Sequence, residues 1–273
     1  MGAVAASWDV KTTSPERVAS AFAEACRQVR NPAGALVFVS GQLALHMEEL
    51  ARAIAAVHGT ASVALVAGAG VLTERGEMEE QTAAAGIVWS GGRTELVEII
   101  PGNDQDVGES LLRVLGDRTG KTTPTVLLFL DPDGFGPGTL APLRDLRGTR
   151  HVFGAGSLGH PGVAGVDANG RIIRNSLAMI LRGIAPPAIR TAHSCHLLGP
   201  LRPVTECRGA LLVAIDGKPA LDVLATYGER LADRPLLLLV LADEPDPESP
   251  EPGRPALVIR GIQGVDPDRR ALV

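Results

Sequence analysis

Residues 62–70 read Ser62-Val63-Ala64-Leu65-Val66-Ala67-Gly68-Ala69-Gly70, a short apolar run ending in a Gly-Ala-Gly turn. A continuous apolar run of this length, bounded by turn residues, is the pattern of a strand buried on both faces. Upstream, Ala35–Ser40 is a second such run. Between the two, residues 44–57 carry Leu45, Leu50, Ile54 and Val57 at helical spacing, with His46 and His58 expected on the solvent side. Downstream, a polar stretch over 73–81 precedes two further strand patterns, 85–89 and 94–100.

The same order then recurs. Thr125–Leu130 reads as a strand, followed by a Gly/Pro-rich loop and a weak helical pattern near 140–146. His151–Phe153 again runs into Gly-Ala-Gly, at Gly154, Ala155 and Gly156, and 176–181 is another apolar strand. Recurrence of one supersecondary unit marks internal duplication. The expected fold class is therefore α/β: two similar βα-containing halves, 35–90 and 125–183, with mostly buried sheets, plus a partial C-terminal α+β element. Both Gly-Ala-Gly turns are expected to face one cleft, where Gly68, Gly70, Gly154 and Gly156 permit close approach beside Ser157.

The flanks are simpler. Ser14, Pro15 and Glu16 form a helix start, and Val18, Phe22, Ala25, Cys26 and Val29 follow at helical spacing. Cys26 on that face reads as a small core residue. Residues 101–104 read as a turn and 110–115 as a short helix. Towards the C-terminus, strands are expected over 189–192, 210–215, 236–242 and 256–262, with an acidic loop over 243–255. Asp216-Gly217 is a tight-turn signal, and Pro219 opens a helix bearing Leu221 and Leu224.

Composition narrows the function. The 273 residues include five Phe, two Trp and one Tyr, too few aromatics for a base-stacking platform. A net charge of -5 without a basic stripe also excludes nucleic acid as the expected partner. Three cysteines at irregular spacing do not form a disulfide framework. The N-terminus lacks a signal-peptide pattern, and Ala6 breaks the myristoylation one. The longest apolar run, 236–242, is too short for a bilayer, so a cytoplasmic location away from membranes is expected.

Four motifs carry possible chemistry. Gly120-Lys121-Thr122 fails as a phosphate loop, because Gly116 lies one residue too close and a strand follows. Gly154, Gly156 and Gly159 satisfy G-x-G-x-x-G, yet His160-Pro161-Gly162 follows where a helix N-terminus is required. His193, Cys195, His196 and Cys207 have metal-ligand chemistry, but an extended 191–196 would point His193 and Cys195 one way and His196 the other. Cys195 beside His193 is also a nucleophile candidate, although no orienting carboxylate or oxyanion element can be assigned. The reading favours no metal, no cofactor and no catalytic residue, with this segment lining a pocket.

Those same residues carry a family resemblance. Cys195, Leu198-Gly199, Val204-Thr205 and Gly217-Lys218-Pro219-Ala220-Leu221 resemble the segment Ser-Gln-Gly-Cys, Pro-Ile-Gly, Val-Thr and Gly-Arg-Pro-Ala-Leu of the FIST family. Arg260-Gly261 through Gly264-Val265-Asp266-Pro267 is similar to an element of its C-terminal part. The first Gly turn departs from the family in lacking its Cys and Glu. The resemblance implies an N-terminal-like sensory domain over 14–220 and a partial C-terminal-like region over 221–273. It implies small-molecule sensing, with amino-acid-like ligands, and a signalling protein partner. On this reading His193, Cys195 and His196 line the site, and Arg202 or Thr205 holds a polar or anionic group. A Cys195-dependent enzyme and an interaction scaffold are the alternatives.

Overall fold

The computed structural model describes residues 4–79, 81–99, 109–110, 124–131, 151–159, 161–174, 176–184, 199–228, 238–242, 257–262 and 264–273. The chain divides into two compact units, Met1–Ile189 and Arg190–Val273. The expected turn at 101–104, helix residues 111–115 and 140–146, strand 189–192 and acidic loop 243–255 lie outside the described residues.

The first unit is mixed α/β. It opens with β1 (Ala5–Lys11), α1 (Pro15–Gln28) and β2 (Pro32–Val39). A 3-10 turn (Gly41–His46), α2 (Met47–Ala55) and β3 (Ser62–Ala67) follow, then a hairpin of β4 (Gly70–Thr73) and β5 (Gly76–Glu79), then β6 (Ala83–Ser90). The Ser14 hydroxyl accepts the Arg17 N–H and starts α1. The strands of the next stretch are β7 (Arg93–Glu98), β8 (Thr125–Leu130), β9 (His151–Gly156), β10 (Val163–Val166), β11 (Ile172–Arg174) and β12 (Leu177–Arg182). They form a six-stranded sheet, β1-β6-β2-β3-β10-β11, and a four-stranded sheet, β7-β12-β8-β9.

All six residues of β3 are buried, and the period of two explains how. Val63, Leu65 and Ala67 join the core under α1 and α2, with Phe22, Leu50 and Ile54. Ala64 and Val66 point the other way, into a second core with Trp89, Leu96, Phe129, Leu177 and Met179. The two sheets therefore share an apolar layer, and the helices cover the far face of the larger one. On the far face of the smaller sheet, Val126, Leu128, Leu130, Ala178 and Ile180 form a third core.

One pattern of strand pairing occurs twice, over β1–β6 and over β7–β12. β2 runs parallel to β3 and antiparallel to β6, which pairs with β1. In the same way β8 runs parallel to β9 and antiparallel to β12, which pairs with β7. Two equivalent hydrogen bonds set the correspondence: Gly68 N–H to Val39 O at 2.8 Å and Ser157 N–H to Leu130 O at 2.9 Å. Carried along the registers, this matches Phe38 with Phe129, Ala85 with Leu177 and Asp9 with Glu98. Phe38 and Phe129 meet edge to face across the two sheets, ring centroids 6.3 Å apart. Even the hairpin anchors correspond: Arg75 of the β4–β5 turn pairs with Asp9 at 2.7 Å, and Arg171 before β11 pairs with Glu98 at 2.9 Å.

Several expectations are corrected. The Gly-Ala-Gly segments are not equivalent turns: Gly68-Ala69 is a bend after β3, whereas Gly154, Ala155 and Gly156 lie inside β9. Register places Gly154 opposite Leu128, where the first half has Leu65 opposite Val37. The helix over 44–57 begins late. Its first turn is 3-10, whose tighter winding takes Leu45 off the apolar face, leaving it 80 % exposed; α2 ends at Ala55, and Val57 is 39 % exposed. His58 is buried, not solvent-side, and its Nδ1 lies 2.8 Å from Ala55 O at the end of α2. Residues 73–79 contribute to a hairpin, because Val71 and Met78 bury against Ala83 and Ala85.

In the second unit, β13 (Val204–Arg208) pairs with β14 (Leu211–Ile215). Asp216 and Gly217, with φ of 54° and 71°, turn β14 into β15 (Lys218–Pro219) and the short helix α3 (Ala220–Ala225). A hairpin of β16 (Leu238–Ala242) and β17 (Leu257–Gly261) follows, then β18 (Val265–Asp266) and β19 (Ala271–Leu272), which joins β14.

Candidate functional site

Ligands of parallel sheets usually sit beyond the carboxyl ends of the strands. In the first unit that position is closed by the protein's own polar groups. Asp131 follows β8 and is 3 % exposed; its Oδ1 accepts the Ser157 hydroxyl at 3.0 Å and the Gly162 N–H at 2.9 Å. Its own N–H donates to Ser176 Oγ at 2.9 Å. The strap after β9 is then tied to β3, with Leu158 N–H to Ala67 O at 3.0 Å and Ala67 N–H to Gly162 O at 2.8 Å. Gly162 is required here, since a Cβ would stand 2.2 Å from Ser157 Oγ. Ser40, the counterpart of Asp131, is fully buried and donates to Gln81 O at 2.7 Å. The strap also explains why G-x-G-x-x-G fails: the next described element after Gly159 is β10, not a helix.

The candidate site lies at the opposite, amino-terminal end of β2 and β3. There an open groove of about 1070 Å³ is lined by Arg30, Asn31, Thr60, Arg93, Asp167 and Asn169, among others. Its position follows from three turns. Asn31 takes φ 54° between α1 and β2. Gly91 and Gly92, at φ 84° and 65°, make the tight turn that carries the chain from β6 in the larger sheet to β7 in the smaller. A Cβ on Gly92 would meet Arg182 O at 2.4 Å, so glycine is required there. In the third turn, Asp167 Oδ1 accepts the N–H groups of Asn169 at 2.8 Å and Arg171 at 2.9 Å. The groove thus takes residues from both occurrences of the pairing pattern, the first half running from β1 to β6 and the second from β7 to β12. Its signals in the sequence were the Gly-Gly and Asp-x-Asn-Gly turns, which sequence reasoning passed over because they carry no reactive side chain.

The expected site residues separate. Gly68, Gly156 and Ser157 gather at the strap end, where Ser157 is 5 % exposed and its hydroxyl engaged by Asp131. Gly70 lies in β4 opposite Glu79. Gly154 is held by its own sheet, where a Cβ would stand 1.9 Å from Leu128 O. Gly154 and Gly156 also line an apolar slot of about 110 Å³ with Leu130 and Val152. In the second unit Arg202 and Thr205 meet at one turn: Thr205 Oγ1 accepts the Gly217 N–H at 3.0 Å, and Arg202 lies 3.7 Å from Asp216. His193, Cys195 and His196 lie outside the described residues. Cys26 is half-buried, and burial pushes its thiol up to about 11, which leaves it unreactive near neutral pH.

Two sheets around a shared apolar layer, with an open polar groove at their junction, define a mixed α/β protein. Residues 34–218 match the FIST N domain, and the chain belongs to the FIST family, a class of sensory and signal-transduction modules. The match runs from β2 to β15. No curated protein matches the chain. Among the described residues no helix is long and apolar enough to cross a membrane.

Proposed function

We propose that this protein is the ligand-binding part of a signalling system, taking a small amino-acid-like metabolite in the groove at the amino ends of β2 and β3 and acting without chemical turnover. The observation that carries the reading is the groove itself. Its volume, about 1070 Å³, is sufficient for a small metabolite. Its walls combine guanidinium, amide and hydroxyl donors with the carboxylates of Asp167 and Glu95, a mixture suited to a molecule bearing both carboxylate and polar groups. A ligand there would touch both halves of the duplicated unit at once, so its binding energy would act on their junction. That is a means of reporting occupancy to a partner protein in the cytoplasm.

The family resemblance offers His193, Cys195 and His196, with Arg202 and Thr205, as a separate candidate site on the second unit. The test is a thermal-shift screen of the full chain against amino acids and small organic acids, repeated with Arg93→Gln and with Cys195→Ala. A native-state ligand raises the melting temperature by mass action. The expected result is a saturable rise that Arg93→Gln diminishes. Absence of a rise with every compound rejects the reading. A rise lost only in Cys195→Ala moves the site to the His/Cys segment.

A further inference from the structure

We propose that the groove selects a small dianion, a molecule with two separated anionic groups, held between Arg30 and Arg93. The inference rests on the reading of this groove as the ligand site and narrows the class of ligand. Both arginines line the same groove, and both are exposed. Among the described residues neither guanidinium has a hydrogen-bond or ion-pair partner. This sets them apart from Arg75, Arg171 and Arg174 of the same unit, which pair with Asp9, Glu98 and Glu48.

The acidic residues of the groove do not offset them by direct pairing. Asp167 Oδ1 is engaged by the Asn169 and Arg171 N–H groups of its own turn, and Glu95 has a partner of its own. Two cationic groups therefore face the same groove without a bound carboxylate. Each can grip a carboxylate or phosphate through a bidentate fork. The placement adds a reason for two anionic groups over one. Arg30 precedes β2 in the first half, and Arg93 opens β7 in the second. A dianion spanning them would fasten one half to the other, whereas a monoanion would engage one side only. Asn31, Thr60 and Asn169 add neutral polar groups to the same lining.

Binding to the full chain is measured by calorimetry at low ionic strength, because exposed charge pairs are screened by salt. The probes are succinate, glutarate and adipate as dicarboxylates, 2-phosphoglycolate as a molecule whose two anionic groups are a carboxylate and a phosphate, and butyrate and alanine as singly charged and zwitterionic controls. Expected is binding of at least one dianion, with Arg30→Gln and Arg93→Gln each weakening it about tenfold to a hundredfold, the range for charged hydrogen bonds. Arg30→Lys and Arg93→Lys keep the charge but lose the fork, and should recover part of that loss. Arg75→Gln, outside the groove, should leave affinity unchanged. Preference for 2-phosphoglycolate would identify phosphate as one of the two groups, and preference for a dicarboxylate would exclude it. Butyrate or alanine binding as tightly as every dianion overturns the inference while leaving the metabolite reading standing. Dianion binding indifferent to both arginines overturns it as well. Silence from all six compounds also overturns it, and the broader thermal-shift screen then decides the metabolite reading separately.

Discussion

Asp131 shows how a single buried carboxylate can define an edge of the fold. It stands at the end of β8 and gathers the Ser157 hydroxyl and the Gly162 N–H on one oxygen. Replacing it with alanine would leave two buried donors without their acceptor. The cost of an unmet buried polar group is about 1–3 kcal/mol, more where the partner was charged. Asp131→Ala is therefore expected to lower unfolding stability by about 3 kcal/mol, and Ser157→Ala by about 1 kcal/mol. The measurement is urea unfolding of each variant, read as a fall in midpoint at unchanged slope. If Asp131→Ala costs less than Ser157→Ala, the carboxylate does not anchor the strap. Neither residue attracted attention in the sequence as a partner of the other. Residues 26 apart give no local sign that they will meet, and only the parallel pairing of β8 and β9 brings them together.

At the scale of elements, what the sequence revealed depended on how much apolar surface each one buries. β2, β3 and β8 announce themselves as continuous apolar runs because both faces are covered. β1 did not, since Trp8 is its one buried residue, and β4 and β5 were hidden because Val71 and Met78 bury against only a small cluster. The Gly-Ala-Gly pair misled for a physical reason: Gly68 serves a bend, and Gly154 serves a close strand contact, two different demands met by one residue type. Of the repeated pattern, β2, β3, β6, β8, β9 and β12 were legible; the β4–β5 and β10–β11 hairpins and the register were not. Electrostatics join other elements. Glu48 of α2 meets Arg174 at the end of β11 and Arg52 on its own helix. The Arg174 hydrogen bond, then the charges of Arg174 and Arg52, hold its carboxyl below the usual 4.5. A depressed folded value means the contribution is present above pH 4.5 and is lost as pH falls through the lower folded value. Glu48→Gln should flatten the decline of stability below about pH 4.5. Urea midpoints from pH 7 to pH 3 test this, and an unchanged acid slope would remove Glu48 from the account.

At the largest scale, the first unit holds two sheets that cannot each complete a core alone. Ala64, Val66 and Trp89 of the first half bury against Leu96, Phe129, Leu177 and Met179 of the second. The second half also lends strands directly: β10 pairs with β3 and extends the larger sheet by two positions with β11. Separation would therefore expose an apolar layer and leave the β3 edge unpaired, a condition that favours aggregation. The expectation is that residues 1–91 and 92–189, produced separately, show no cooperative unfolding. Produced together, they should assemble and recover a single transition. Circular dichroism during urea titration measures this, with sedimentation reporting whether the fragments associate. A monomeric 1–91 fragment that unfolds cooperatively would refute the interdependence of the halves. The groove tests the same dependence from the side of the ligand, since Arg30 and Arg93 come from opposite fragments. A dianion bound between them should raise the affinity of one fragment for the other by the same factor that assembly raises its own binding, because linkage is reciprocal. Fragment association unchanged by saturating glutarate, in a protein shown to bind it, would mean that the ligand touches one half only.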